Sequence, residues 1–363
     1  MTCRTHIVLL FLLSVLLIGG CGREDIPSGD GRISFTFYTG EPITRAVGDG
    51  NAADGGGIAV VDEKPDIIIA LANSSGNIVA WYPNENGDSY QSECSSSSAT
   101  EATISFDSPA QGTYSVYAVA NTHRLNTSDS NPKLSAAIKS QTTVAGLEAL
   151  VLQRSAQLSF NANNPMPLSA KGSVTANSRG AGQVNLELKR VVARVGLSFD
   201  NKTGGDLTLY NCSITLHTMN PFKGYLFAQN TDYVSNWDAD LVLWSEQNIE
   251  ITGASYDINP KLVFPSVAPT QQEGGKRYLC DVSFRIVKAG EEYDANNSDT
   301  YTSYNNNDLP VQDLSTYESI LALSRNQDLT ILTEINKRDQ GNDISFNFFV
   351  TTWTNKTEEV TFN

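Results

Sequence analysis

The chain has 363 residues, a formal net charge of −15 and only 18% charged residues. That length admits two domains with sizeable cores, and an acidic surface repels phosphate backbones, which argues against nucleic acid as a partner. Abundant Ser, Thr, Asn and Gly with few long apolar helical runs point to a secreted β-rich protein rather than a cytosolic enzyme.

The N-terminus carries an export signal. Arg4 and His6 precede the apolar run Ile7 to Ile18, which ends in Gly19-Gly20-Cys21. This is the order of a secretory signal, and the run is too short for an ordinary membrane span. Ile18-Gly19-Gly20-Cys21 resembles a bacterial lipobox, in which small residues fit the peptidase and the cysteine thiol takes the lipid. Residues 1–20 are then a signal peptide and Cys21 is the lipidated first residue. Glu24-Asp25 resembles the acidic surface-export signal of Bacteroidetes lipoproteins.

Ile33, Phe35 and Phe37 alternate with Ser34, Thr36 and Tyr38, the period-two pattern of a half-buried strand. Gly40 and Pro42 end it. Thr44-Arg45-Ala46 then opens a Gly- and Asp-rich loop to Gly57, with Arg45 accessible to a protease. Arg23 and Arg32 are other basic positions, and a cut at either would leave the strand attached.

Asp66 to Asn73 and Asn77 to Tyr82 read as a hairpin around Asn73-Ser-Ser-Gly76. Pro83 to Thr100 reads as an exposed polar loop and Ala102 to Phe106 as a short strand. Thr113 to Asn121 is apolar on both faces, as in a central sandwich strand. Short helices are expected near Lys133 to Ile138 and Gly146 to Leu150, and a strand at Gln157 to Asn161. Pro165, Pro167, Gly172, Gly180 and Gly182 mark a domain boundary.

Val184 to Phe199 reads as one long strand with a bulge. Leu207 to Thr218, Asp240 to Trp244, Ile249 to Ile251, Lys261 to Phe264 and Lys276 to Val287 follow as strands. Glu291 to Asp308 reads as an Asn-rich loop, and Arg325 to Ile335 and Asp343 to Trp353 as strands before Thr357 to Phe362. The sum is an all-β fold of two tandem β-sandwich domains, 46–182 and 183–363, with long loops and short helices.

The search for chemistry finds no catalytic constellation. Outside the signal the histidines are His123 and His217, with no acid or cysteine at ligand spacing and no GxSxG elbow, so an enzyme is not expected. No Walker loop or GxGxxG is present, and no cofactor is implied. Cys94, Cys212 and Cys280 have no CxxC spacing, so no metal site is expected. At most one disulfide can form among them, and Cys212 and Cys280 read as small core residues. The acids of Asp294 to Asp313 lack the order of a calcium loop. Trp81, Tyr82, Trp237 and Trp244 are the candidates for a sugar platform, with Trp244 better suited to a core.

Several stretches in order resemble the FimA-type fimbrillins, the subunits of type V pili in Bacteroidales. They are the lipobox at Cys21, the strand Ile33 to Phe37 followed by Thr44-Arg45-Ala46, the hairpin IIIALANSSGNIVAW, and the strand QGTYSVYAVAN. VNLELKRVVARVGLSF resembles the start of the family's second domain. Leu323-Ser-Arg-Asn326, Val350 to Trp353 and the terminal EEVTF resemble its closing hairpin.

The resemblance implies transthyretin-like, Greek-key sandwiches and a structural stalk or tip subunit of a fimbria that supports adhesion. It implies export as an outer-membrane lipoprotein, then cleavage between Arg45 and Ala46 by an Arg-specific surface protease. The propeptide 21–45 would leave with its lipid and with the removable strand Ile33, Phe35 and Phe37. A strand from another pilin subunit, in a homo- or hetero-polymer, would fill the groove. The donor would be the C-terminal segment, with Val350, Trp353, Val360 and Phe362 as its apolar side chains. Anchor members often carry a second cysteine soon after the lipidated one, and none lies between Cys21 and Cys94. The alternative is a lipid-anchored glycan-binding surface protein, or a fimbrial anchor, that keeps its first strand.

Overall fold

The structure is a computed structural model. It describes residues 32–39, 57–61, 64–98, 100–107, 110–122, 134–154, 158, 166–177, 180–181, 183–227, 234–271, 275–288, 290–311, 319–337 and 344–353. The fold is all-β with two short helices among the described residues.

The first part of the chain opens with β1 (Ile33–Thr39), the two-residue pair β2 (Val60–Val61) and β3 (Lys64–Pro65), then β4 (Ile67–Ala72) and β5 (Ile78–Tyr82). Next come β6 (Ser92–Ser97), β7 (Glu101–Phe106) and β8 (Gly112–Ala120), helices α1 (Leu134–Lys139) and α2 (Val144–Glu148), and β9 (Val151–Gln153). β10 (Leu168–Asn177), β11 (Gly180–Ala181) and β12 (Gln183–Arg190) complete it.

Eight of these strands form one sheet in the order β5-β4-β8-β10-β12-β1-β7-β6, with β11 added on β10. β10 meets β12 at only two positions, Leu168 opposite Arg190 and Ser169 opposite Lys189. The sheet folds over at that corner. Ile33, Phe35, Phe37, Ile104 and Phe106 from one half pack against Ile67, Ile69, Leu71, Val116 and Ala118 from the other. The result is a sandwich whose two layers share one edge.

β4 and β8 are buried on both faces, as their unbroken apolar sequences require. Their outer face carries Ile68, Ala70, Tyr117 and Val119 and is covered by Leu134 and Ile138 of α1 and Leu147 of α2. Thr143 starts α2 by accepting a hydrogen bond from the Gly146 amide, an N-cap. Val191, Val192, Leu226, Phe227 and Phe264 join the same cluster, so apolar packing continues into the rest of the chain.

The later part contains β13 (Ala193–Asn201), β14 (Leu207–Leu216), β15 (Lys223–Tyr225), β16 (Leu241–Ile251), β17 (Ser255–Val263), β18 (Ser266–Val267), β19 (Thr270–Gln271), β20 (Gly275–Lys276) and β21 (Leu279–Val287). β22 (Tyr301–Pro310), β23 (Ala322–Leu323), β24 (Asp328–Lys337) and β25 (Ile344–Trp353) end it. Two four-stranded sheets, β17-β13-β24-β25 and β16-β14-β21-β22, enclose one core that includes Phe199, Ile214, Tyr278, Val282 and Ile331.

Several expectations are corrected. The division at 182/183 falls inside the first sheet, because β12 pairs with β1 and β10. The chain changes sheets at Val191 and Val192, so Val184 to Phe199 is two strands rather than one bulged strand. Within the supposed boundary, β10 is a ten-residue strand, and its Gly172 sits under the Leu186 side chain, whose Cδ2 would lie 2.6 Å from a Cβ and would have to move aside for one. The loops expected at Pro83 to Thr100 and Glu291 to Asp308 contain β6 and most of β22. Asp240 to Trp244 and Ile249 to Ile251 are one strand, β16. Of Gln157 to Asn161 only Leu158 is described, in an isolated bridge to Leu262.

Candidate functional site

The best-developed candidate is the seat of β1. β1 runs antiparallel to β7, with Ile33 opposite Phe106, and parallel to β12, with Phe35 opposite Val184. It is therefore an interior strand. In the ladder of the described residues, β6 joins the sheet through β7 and β7 through β1, while the Ser92 hydroxyl of β6 also donates to Trp81 O of β5 at 2.7 Å.

The alternation of the sequence is realised in the burial. Ile33, Phe35 and Phe37 are 0% exposed, while Tyr38 is 41% exposed. The Phe35 ring lies 6.0 Å from Phe37 and meets Phe106 edge-on at 6.3 Å. The opposite face is polar and paired: Ser105 Oγ donates to Ser34 Oγ at 3.3 Å, and Gln183 Nε2 donates to Thr36 Oγ1 at 3.0 Å.

The strand is tied at both ends. Arg32 pairs with Glu93 at 3.2 Å and with Asp107 at 2.8 Å, and the Thr39 amide donates to Thr100 O at 2.9 Å. The Arg32 pairs are exposed and contribute little. The apolar face and the two ladders hold the strand.

After residues 40–56 the chain is anchored by Asn121, which closes β8. Asn121 is fully buried with φ +66°, a left-handed conformation that asparagine tolerates. Its Nδ2 donates to Gly57 O at 2.9 Å and Met166 O at 2.6 Å, and its Oδ1 accepts from the Ala59 amide at 2.8 Å. Both sides of the 40–56 connection are thus fixed in the same sandwich.

Cys21, Arg45, Ala46, Val360 and Phe362 lie outside the described residues, as does His123. Val350 and Trp353 belong to β25, opposite Ile331 and Asp328 of β24.

The second sandwich holds a cluster that sequence spacing concealed. His217 follows β14, and the neighbouring strands bring acids to both ring nitrogens. Nδ1 is 3.2 Å from Asp240 Oδ1 and Nε2 is 2.9 Å from Asp281 Oδ2. Ligand atoms of His217, Asp281 and Asp308 all lie within 4.8 Å of one another. Burial lowers the His217 pKa, but the bond to Asp281 and the charges of Asp240 and Asp281 outweigh it, and the net shift is upward. The geometry is that of an imidazolium held between carboxylates, so a cation would have to displace the Nε2 proton. Only pairing across strands reveals this group, since its members are 23 residues or more apart in the chain.

The remaining candidates are dispersed. Trp81 and Tyr82 are buried in different cores. Trp244 donates to Gln247 O at 3.2 Å, and Trp237 packs against Tyr225 at 5.2 Å. Cys212 and Cys280 are buried thiols pushed up to about 12 by desolvation, and Cys94 is a half-buried thiol on β6. Asp294 and Asn297 accept amides of Asn296 and Asp299, turning their own loop.

No protein-family model and no curated protein matches this chain. Among solved structures it is similar to the tip fimbrial protein Mfa3 from Porphyromonas gingivalis with C-terminal truncation, at 11% identity over 89% of this chain and 100% of that one, TM-score 0.48. It is similar to a fimbrial assembly protein from Parabacteroides distasonis, at 12% identity over 88% and 98%, TM-score 0.42. It is also similar to the fimbrial anchor protein Mfa2 from Porphyromonas gingivalis, at 13% identity over 89% and 97%, TM-score 0.36. At these identities the likeness concerns the fold alone.

Proposed function

We propose that this chain is a structural subunit of a surface fimbria, with no catalytic activity of its own, in which β1 is a placeholder. It is exported as a lipoprotein on Cys21, cut between Arg45 and Ala46, and assembled when a strand of another subunit takes the place of β1. The observation that carries this reading is the position of β1, an interior strand with three fully buried side chains whose only forward link is the segment 40–56.

The second sandwich sharpens the point. There β13 pairs in parallel with β24 and antiparallel with β17, as β1 does with β12 and β7. β13 leads into β14 through only five residues, Lys202 to Asp206, whereas β1 is followed by a long stretch containing an arginine. One cut after Arg45 would sever the covalent link between β1 and the rest of the sandwich, whereas β13 would stay joined to β12 after any cut between β13 and β14. The slot left behind would have two unpaired edges, β7 and β12, over an apolar floor, which strongly favours strand addition. A donor containing Val350 and Trp353 must first leave β24. One drawn from residues 354–363 brings Val360 and Phe362.

The test is to treat the chain starting at Cys21 or just after it with an Arg-specific protease. Intact mass should show the cut after Arg45, and a native gel should show a polymer ladder, both abolished in Arg45→Ala. A trimmed protein that stays monomeric with residues 22–45 still bound would make β1 a permanent strand and refute the proposal.

A further inference from the structure

We propose that Arg325 is a latch between the two sandwiches, through which the seating of β1 is felt at the C-terminal hairpin β24–β25. Arg325 lies in the turn before β24, yet its guanidinium reaches into the first sandwich. Nε donates to Arg190 O at 3.4 Å, Nη1 to Leu226 O and Phe227 O at 3.3 Å each, and Nη2 to Lys189 O at 3.0 Å and Ser169 O at 3.1 Å. Nη2 also meets Ser169 Oγ at 2.6 Å, and that hydroxyl donates to Leu226 O at 2.7 Å. No carboxylate among the described residues pairs with it. A half-buried cation solvated by five main-chain carbonyls is an unusual use of the five-donor fork.

The acceptors are not scattered. Ser169 lies on β10, and Lys189 and Arg190 end β12, at the corner where the two layers of the first sandwich meet. β12 is also the parallel partner of β1 from Gln183 to Leu188. One strand is therefore held by β1 along most of its length and by Arg325 at its end. Two backbone bonds close the circuit, from the Asn326 amide to Val192 O and from the Arg194 amide to Gln327 O, each at 2.9 Å. Arg325 in turn leads into β24, which carries β25 over ten paired positions. The route from β1 to β25 is one strand, one side chain and one hairpin. Its role in assembly rests on the proposed function, since only there does β1 leave. The coupling itself does not, and is tested in the uncut chain.

Amide hydrogen exchange is measured in wild type, Phe37→Ala, Arg325→Met and the double variant. Arg325→Met should speed exchange about tenfold or more at 166–170, 189–194 and 224–227, with Arg325→Lys intermediate. Phe37→Ala should speed exchange at β7 and β12, and also at 323–330, in a wild-type background. In the Arg325→Met background it should add nothing at 323–330. If Arg325→Met does not fold, Ser169→Ala and Arg325→Lys carry the same comparison. The latch is refuted if Phe37→Ala changes nothing beyond β7 and β12, or if its effect at 323–330 is the same with and without the guanidinium. Either result leaves the protease test of β1 untouched.

Discussion

Phe35→Ala is the sharpest single test of whether β1 belongs to the core. Phe35 is 0% exposed, at the centre of a three-residue apolar face, with Phe37 on one side and Phe106 edge-on across the pair. Removing a buried Phe ring costs about 3–5 kcal/mol, the lost transfer energy plus a cavity that neighbours only partly fill. Here the neighbours are strand-bound on both sides, which limits collapse and favours the upper half of that range. Tyr38→Ala is the matched control on the outward face, where less than ~0.5 kcal/mol is expected. Urea unfolding followed by hydrogen exchange in β7 and β12 reads the first sandwich separately from the second. A midpoint about 1 M or more lower for Phe35→Ala is expected, from a slope of roughly 1–3 kcal/mol per M. A loss under ~1 kcal/mol would mean that β1 is an appendage, and the placeholder reasoning would fall with it.

Four other outcomes follow. His217→Gln should cost more stability at pH 5.5 than at pH 8.5: the folded pKa is raised, so the contribution is complete below the unfolded value of about 6.5 and lost as pH rises through the folded one. Equal losses at both pH values would show that the ring is not held as an imidazolium. Asn121→Ala, which removes three hydrogen bonds and leaves a non-glycine residue in the left-handed region, should cost about 2–4 kcal/mol in thermal unfolding and speed proteolysis just after Gly57. Gly224→Ala would place a Cβ within 2.9 Å of three Phe264 atoms and should cost about 1–3 kcal/mol by the same melt. A thiol reagent at pH 8 should label Cys94 in the folded protein and reach Cys212 and Cys280 only on unfolding.

What the sequence disclosed was what alternation or continuous apolarity encodes. β1, β4, β8 and β21 are legible because each has at least one face that must be dry. β6 and β22 were not, for the opposite reason. Both are edge strands with largely exposed sequences, SECSSS and TSYNNND, so no apolar face marks them. β10 was hidden by Ser, Gly and Lys, and by a glycine that lies under the Leu186 side chain rather than in a turn. The split between β12 and β13 was concealed because Val191 and Val192 bury themselves between sheets, in the cluster that α1 and α2 cover, and extend the apolar run without a break. His217 and Arg325 act entirely through partners brought by tertiary pairing, and no local pattern announces such contacts.

The energetics of β1 constrain how it can be used. Three fully buried side chains at about 1.5–3 kcal/mol each amount to roughly 5–9 kcal/mol, an upper figure because the unfolded chain already hides some of this surface. A whole domain is stable by only about 5–15 kcal/mol. A first sandwich without β1 would therefore stand near its unfolding threshold, with two raw strand edges. Cleavage after Arg45 alone does not expel the strand, since the two ladders and the apolar face survive the cut. If β1 is the proposed placeholder, its departure has to be coupled to replacement, by a strand that supplies alternating apolar groups at the positions of Ile33, Phe35 and Phe37. A replacement strand wins if it matches those contacts and pairs along both β7 and β12, and it can begin wherever β1 frays first. The Thr39 end is the place to look, because the cut would leave it without a covalent link onward: both ladders stop at Tyr38 and Thr39, with the Thr39 amide and hydroxyl on Thr100 O, while the exposed ion pairs of Arg32 add little at the other end. Arg32→Ala should accordingly leave the rate of strand replacement nearly unchanged, while Phe37→Ala, near the fraying end, should raise it several-fold in a labelled-peptide exchange assay on the cut protein. Faster exchange from Arg32→Ala than from Phe37→Ala would place the entry point at the other end of the groove.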